Sequence, residues 1–185
     1  MSKLNISLKG SNTRWSFSTK LRRGAWRVVN RTIFKYTPKS YGNIFRVHLL
    51  NAFGAKISKN AWVFPSVKIN DPLLLEIGEW SVIGPNVNIY NYDLVKIGEQ
   101  TVISQNVFLC TATHDYTRLN FPLIWDKIII GDECWIAEGA MIFPNVSIGN
   151  GSVVGARSLV TKSILPCEVH AGNPCKFVKK RIINE

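Results

Sequence analysis

No acidic residue occurs before Asp71. Residues 1–50 carry 11 Lys and Arg without one Asp or Glu, whereas residues 51–185 carry 12 of each sign. The whole net charge of +11 therefore belongs to the first 50 residues, which points to one basic attachment surface on an otherwise neutral body. No nucleic-acid-binding motif accompanies it, so nucleic acid is not an expected partner. Cysteine is scarce: Cys110, Cys134, Cys167 and Cys175 are too few and too unevenly spaced for a disulfide framework or a zinc site. They read as reduced thiols of a cytosolic protein. No apolar run reaches the roughly 18 residues of a spanning helix. The opening Met-Ser-Lys-Leu-Asn lacks the apolar stretch of a secretory signal. Charged residues are only 19% and apolar residues 46%, which excludes global disorder. At 185 residues the chain can bury a core without metal or disulfide support.

What is present is a six-residue period. An aliphatic residue recurs at Ile57, Val63, Ile69, then Ile77, Ile83, Ile89, then Ile97, Ile103, Leu109. It resumes at Ile130, Ile136, Ile142, then Ile148, Val154, Val160. Four residues after most of these stands a small or β-branched side chain, such as Ala61, Val67, Ser81, Val87 or Thr101. A helix would show apolar spacings of three and four, and an antiparallel meander would alternate with turns every 8–12 residues or so. A strict six fits a short strand plus a corner, three such units closing one coil, and stacked coils burying each other's aliphatics. The glycine that often follows the aliphatic suits a corner where φ is positive or space is tight. The expected architecture is an all-β solenoid, a parallel β-helix of about five coils spanning 54–170.

The interruptions carry as much information. Ile69 to Ile77 and Ile89 to Ile97 are each two residues too long, and Leu109 to Ile130 is fifteen too long. All three follow the third unit of a coil, so they stack along one corner. The long insertion, 110–129, reads as a protruding loop, and loops on rigid scaffolds tend to carry function. Residues 1–53 form a basic N-terminal segment without the period. Leu21, Ala25, Val28 and Thr32 follow helical spacing there, and Pro38 ends that helix. Ile44, Val47, His48, Leu50 and Asn51 allow a second helix with Gly54 after it. Residues 171–185 read as a turn at Gly172 and Pro174 followed by a short basic helix from Cys175 to Ile183.

The hexapeptide repeats, the Thr-His-Asp-Tyr loop, the Cys-Trp-Ile-Ala unit, the Val-Val-Gly-Ala-Arg-Ser-Leu-Val-Thr-Lys segment and Ala-Gly-Asn-Pro-Cys-Lys occur in that order. Together they resemble the hexapeptide-repeat acyltransferases over about residues 20–183. Within that family the chain is most similar to the colanic-acid and capsular polysaccharide O-acetyltransferases, relatives of the maltose and galactoside enzymes. The resemblance implies a left-handed coil, a homotrimer, acetyl-CoA as co-substrate, no metal, and transfer of acetyl to a sugar hydroxyl.

His114 is the leading catalytic candidate. An attacking hydroxyl needs a base near neutral pH, imidazole suits that task, and the family's general base occupies the matching loop position. Asp93 lies in the insertion one coil below and could meet sugar hydroxyls or orient the imidazole; Asn91 and Tyr92 share that insertion. Asp115 is adjacent to His114, a poor spacing for a partner, and fits better as a residue that fixes the loop. Asn91, Tyr92, Asp93 and Asp115 are the substrate-binding candidates. Trp135, Glu138, Ala156, Thr161, Lys162, Lys176 and Lys179 match positions that relatives use around acetyl-CoA, Glu138 standing where a small residue is frequent. Lysines there would offer charge to the phosphates. No role passes to His48 or His170. Two other readings remain open: an amino-sugar N-acyltransferase, and a non-catalytic β-helix scaffold. The aromatics Trp15, Phe17, Trp26, Phe34 and Tyr36 interleave the N-terminal cations, which suits either an interfacial helix on anionic membrane or a helix docked on the prism.

Overall fold

Side chains alternate along a strand, so a two-residue strand turns one aliphatic to the axis and a three-residue strand turns up to two, as Leu75 and Ile77 do. In the computed structural model, which describes residues 6–8 and 15–183, the repeats form a left-handed parallel β-helix with three faces. Residues 1–5, 9–14 and 184–185, the outer parts of the two expected terminal segments, lie outside the described residues.

The first face stacks Lys56–Ile57, Leu75–Ile77, Val95–Ile97, Ile128–Ile130 and Val146–Ile148. The third stacks Lys68–Ile69, Asn88–Tyr90, Phe108–Cys110, Met141–Ile142 and Leu159–Val160. The second stacks Trp62–Val63, Val82–Ile83, Val102–Ile103, Trp135–Ile136 and Val153–Val154, then gains Glu168–Ala171 and an antiparallel strand, Lys176–Lys180. Five coils are complete and a sixth is partial. Register pairing aligns every sixth-position aliphatic into an inward column, for example Val63, Ile83, Ile103, Ile136 and Val154. All five are fully buried, each contributing roughly 1.5–3 kcal/mol of burial.

The glycines that follow the aliphatics answer to tightness, not to positive φ. A Cβ on Gly78 would sit 2.6 Å from the backbone of Gly98 one coil above. Positive φ falls instead later in the corners, on Trp80, Gln100 and Glu133 among others.

Outward residues differ by face. The first face presents Lys56, Glu76 and Lys96, then Ile129 and Ser147, in register, a surface polar at four of five positions. The second presents Trp62, Val82, Val102, Trp135 and Val153, an unbroken apolar ladder. The third runs from Lys68 and Asn88 to Phe108, Met141 and Leu159.

Two helices close the first coil. Helix α1 spans Phe17–Val29, with Ser16 accepting from the Thr19 amide as its N-cap, and continues as a π-helical turn through Phe34. Helix α2 spans Asn43–Ala52 and ends in Gly54 at φ +94°, as the sequence indicates. Leu21 and Val28, two of the residues at helical spacing, are each 63% exposed. The buried residues are Trp26 and Phe34, because the indole both fills the end of the core and donates to the Ile69 carbonyl at 2.8 Å. Arg46 of α2 is also fully buried, its guanidinium donating to the carbonyls of Val63, Pro38 and Lys39.

The expected C-terminal helix is a strand. Glu168–Ala171 extends the second face, and Lys176–Lys180 pairs antiparallel with it. A helix of that length is marginal alone, while the open edge of the sixth coil offers unpaired amides and carbonyls that this strand covers. His170 takes the inward place above Val154, paired with Glu168 at 2.8 Å. Among the described residues no helix is long and apolar enough to cross a membrane.

Candidate active site

The three insertions stack at the corner between the third face and the first. Each places a polar residue two positions after its aliphatic: Asp71, Asn91 and Thr111, all fully buried. The Asn91 amide donates to the carbonyls of Asp71 and Leu74, and its oxygen accepts from the Asp71 amide at 2.9 Å. Thr111 Oγ1 accepts from the amides of Tyr92 and Asp93 at 2.7 and 3.0 Å. This polar column satisfies backbone groups that the insertions take out of the sheet ladder. Asp71 accepts at 2.8 Å from both Arg22 and Arg23 of α1, so the helix is tied to the foot of the same corner.

The long insertion is a β-hairpin. Ala112–His114 pairs antiparallel with Leu123–Trp125, His114 opposite Leu123. Aromatic packing seats it: Trp15 lies 5.7 Å from Trp125 and 5.6 Å from Tyr92 between ring centroids. Arg23 covers the Trp15 ring at 4.1 Å while still holding Asp71. Tyr90 donates to the Tyr92 hydroxyl, and burial followed by that bond pushes its phenol up to about 12.

His114 is exposed at the end of its strand, with Nδ1 2.7 Å from the Phe121 carbonyl. A carbonyl only accepts, so Nδ1 carries the proton and Nε2 keeps a free lone pair. The orienting group is thus a backbone oxygen of the same loop. Asp93 does not reach the imidazole; its carboxylate accepts from the neighbouring Leu94 amide and closes a turn. Asp115 closes a turn of its own loop. It accepts from the amide and hydroxyl of Thr117, which hold its carboxyl below the usual range, and pairs with Arg118 at 3.6 Å. Asn91 is a structural residue of the buried column. Of the four substrate candidates, only Tyr92 keeps a partly exposed ring with no structural bond from its own side chain beyond the Tyr90 contact.

The remaining candidates fall into two groups. Thr161, Lys162 and Lys176 line a cavity of about 360 Å³ at the top of the coil, with His170 and Cys175. Trp135, Glu138, Ala156 and Lys179 lie elsewhere. Trp135 and Lys179 are on the outer side of the second face, Trp135 donating to Ser104. Glu138 and Ala156 stand one coil apart at the next corner, Glu138 accepting from Asn106 and lying 3.6 Å from Arg157. One chain does not bring the seven into a single cavity. Thr111, Asp71, Phe121, Trp15 and Arg23 were not among the site candidates read from the sequence. For Asp71 and Thr111 a signal existed, since both repeat the +2 position of Asn91 at 20-residue steps.

Among the described residues no thiol is paired with a base. Cys110 and Cys134 bond to backbone carbonyls, and burial raises them and Cys175. No group of three metal-ligating side chains occurs among the described residues.

Comparison with known proteins bears on the fold and the family. Residues 127–162 match the family model described as bacterial transferase hexapeptide (six repeats). The Escherichia coli (strain K12) protein WcaF, assigned as a colanic acid biosynthesis acetyltransferase, is 41% identical over 160 residues, covering 86% of this chain and 87% of that protein. A galactoside acetyltransferase in complex with coenzyme A superimposes with a TM-score of 0.82 at 30% identity, covering 91% of this chain and 84% of the other. A maltose O-acetyltransferase from Clostridium difficile 630 gives 0.79 at 26% identity, covering 91% and 90%.

Proposed function

From the chain's membership of the hexapeptide-repeat acetyltransferases, to which it plainly belongs, we propose that it transfers acetyl from acetyl-CoA to a carbohydrate hydroxyl with His114 as general base. The observation that carries the reading is the Nδ1 contact to the Phe121 carbonyl, which leaves Nε2 as an exposed acceptor at the tip of a braced hairpin. Nε2 takes the hydroxyl proton as the sugar oxygen attacks the thioester carbonyl. The tetrahedral oxyanion is held by a backbone N–H. The C–S bond then breaks, and the imidazolium returns its proton to the departing CoA sulfur. Direct transfer without an acyl-enzyme is the route we propose, supported by thiols that have no base beside them among the described residues. Thr161, Lys162 and Lys176 would meet the phosphate end of acetyl-CoA, and Ala156 leaves room for the pantetheine arm against backbone. Similarity to the colanic acid relative supports an acceptor in exopolysaccharide or capsule assembly.

The working form we propose is a homotrimer. A threefold ring buries two different faces of each subunit and leaves the third to solvent. The apolar second face and the upper third face suit burial, and the charged first face suits water. It would also let a neighbouring subunit unite the two separated groups of acetyl-CoA residues. Peripheral contact with anionic membrane is proposed from the outer stripe of α1, where Phe17, Leu21 and Val28 are exposed beside Lys20 and Arg27. The test of the activity is incubation with acetyl-CoA and a panel of sugars, amino sugars and linked glycans, following CoA release. Release with hydroxyl acceptors, and an O-acetyl product by mass spectrometry, is expected. Product formed only on amines would overturn the O-acetyl reading, and none at all would overturn the activity.

A further inference from the structure

A second groove lies away from the acetyl-CoA candidates, between the α1 end and the lower third face. Its volume is about 740 Å³, within the range of ligand sites. Arg27, Arg31 and Lys35 wall one side; Lys68, Asn88 and Tyr90 wall the other, and no acidic residue lines it. The cations of this region divide into two kinds. Arg22 and Arg23 share Asp71, which balances one of their two charges, and Arg46 is consumed by carbonyls. Arg27, Arg31 and Lys68 have no ion pair or side-chain hydrogen bond among the described residues. Like charges facing a concave surface without counterions repel one another and focus a positive field. The side-chain amide of Asn88 has no hydrogen bond among the described residues either, and amides of this kind match sugar hydroxyls. Arg27 and Lys35 are eight residues apart across the end of α1 and its π-helical turn, a span longer than one isolated phosphate. The groove adjoins the histidine corner, because Tyr90 pairs in register with Cys110, four residues before His114.

We propose that this groove binds an anionic acceptor glycan, its charge a diphosphate linkage or a carboxylate, and so selects acidic over neutral sugars. The inference rests on the acetyltransferase reading for its role, but the groove's affinity for anions does not. Guanidinium groups meet phosphate or carboxylate in forked pairs while Lys68 adds a point charge from the opposite wall. A neutral sugar would leave those cations unanswered.

The test compares kcat/KM for one sugar as a neutral methyl glycoside, a nucleoside-diphosphate sugar, a prenyl-diphosphate-linked glycan and a uronic acid disaccharide. The anionic forms should be preferred by about tenfold or more at low salt, the preference shrinking as salt screens the groove. Preference for the two diphosphates assigns the charge to phosphate; preference for the uronic acid assigns it to carboxylate. The double variant Arg31→Gln, Lys68→Gln should collapse the ratio toward one through KM. A misfolded variant would instead lower all acceptors alike, which thermal melting would register, and single Gln variants would then be read. Equal handling of neutral and anionic acceptors, or an unchanged ratio in folded variants, overturns the proposal. Calorimetric titration with inorganic pyrophosphate separates this from failure of the activity: wild type should bind and the double variant should not, with or without turnover. No binding by wild type overturns the groove.

Discussion

At the scale of single residues, the site depends on hydrogen bonds that fix proton positions. His114→Ala should lower kcat on the order of 10²–10⁴-fold, the share a general base supplies, with acetyl-CoA affinity nearly unchanged. Steady-state kinetics with equilibrium CoA binding checks it, and near-normal turnover would remove His114 from the mechanism. Asp115 gives a pH expectation with a definite sign. Thr117 holds its carboxyl below the usual range, so the stabilisation it gives the loop is present above the unfolded value, about 3.9. It is lost only as pH falls through the lower folded value. The Thr117 amide donates to this carboxylate, so its NMR resonance should stay put from pH 7 to 5 and move only below the ordinary carboxylate range. A midpoint at or above about 3.9 would contradict the Asx turn as described.

At the scale of elements, α1 is a brace for the histidine hairpin. Arg23 joins Asp71 at the foot of the corner to Trp15, and Trp15 touches Trp125 on the hairpin. Trp15→Ala should therefore speed hydrogen exchange of amides 112–125 and depress turnover, while the melting of the coils changes little. Equal exchange in both proteins would reduce α1 to a passive cover. Removing residues 1–35 is a harsher change, since it strips Trp26 from the core and leaves the buried Asp71 charge unpaired, a loss of about 3–5 kcal/mol for the broken pair alone. These ties explain what the sequence could reveal. The coils were legible because each unit repeats one inward aliphatic, and the site corner because all insertions share one phase. The docked face of α1 was not, because Trp26 is chosen by the Ile69 carbonyl at the end of the prism, a partner 43 residues away. Nor was the final strand, whose lysines look helical until the exposed edge of the sixth coil is known. Asp93 was drawn toward His114 by stacking alone, which fixes the corner but not the direction of a side chain; the Leu94 amide took the carboxylate and the Phe121 carbonyl took the imidazole.

At the scale of the molecule, surfaces decide what the chain meets. The outward Val82 and Val102 stand in the apolar ladder of the second face, so Val82→Glu with Val102→Glu should split a trimer into folded monomers, read by light scattering, and abolish turnover. A stable, active monomer of the unmodified chain would defeat that assembly. The outer stripe of α1 is a separate surface. Phe17 is 81% exposed and Leu21 and Val28 63% each, beside cations that no acid of the first 50 residues neutralises. Each Lys or Arg near an anionic leaflet contributes about 1 kcal/mol, screened over about 8 Å at physiological salt. Only the outward cations count, because Arg22, Arg23 and Arg46 are spent inside the fold. Replacing Phe17, Leu21 and Val28 by Ser touches no buried contact, so the fold should survive where a truncation would not. The unmodified protein should sediment with vesicles containing phosphatidylserine at low salt and be released as salt rises. The triple Ser variant should stay in the supernatant with its melting temperature little changed. If the unmodified protein ignores such vesicles, the stripe meets protein instead, and the basic segment acts only through the groove and the corner it braces.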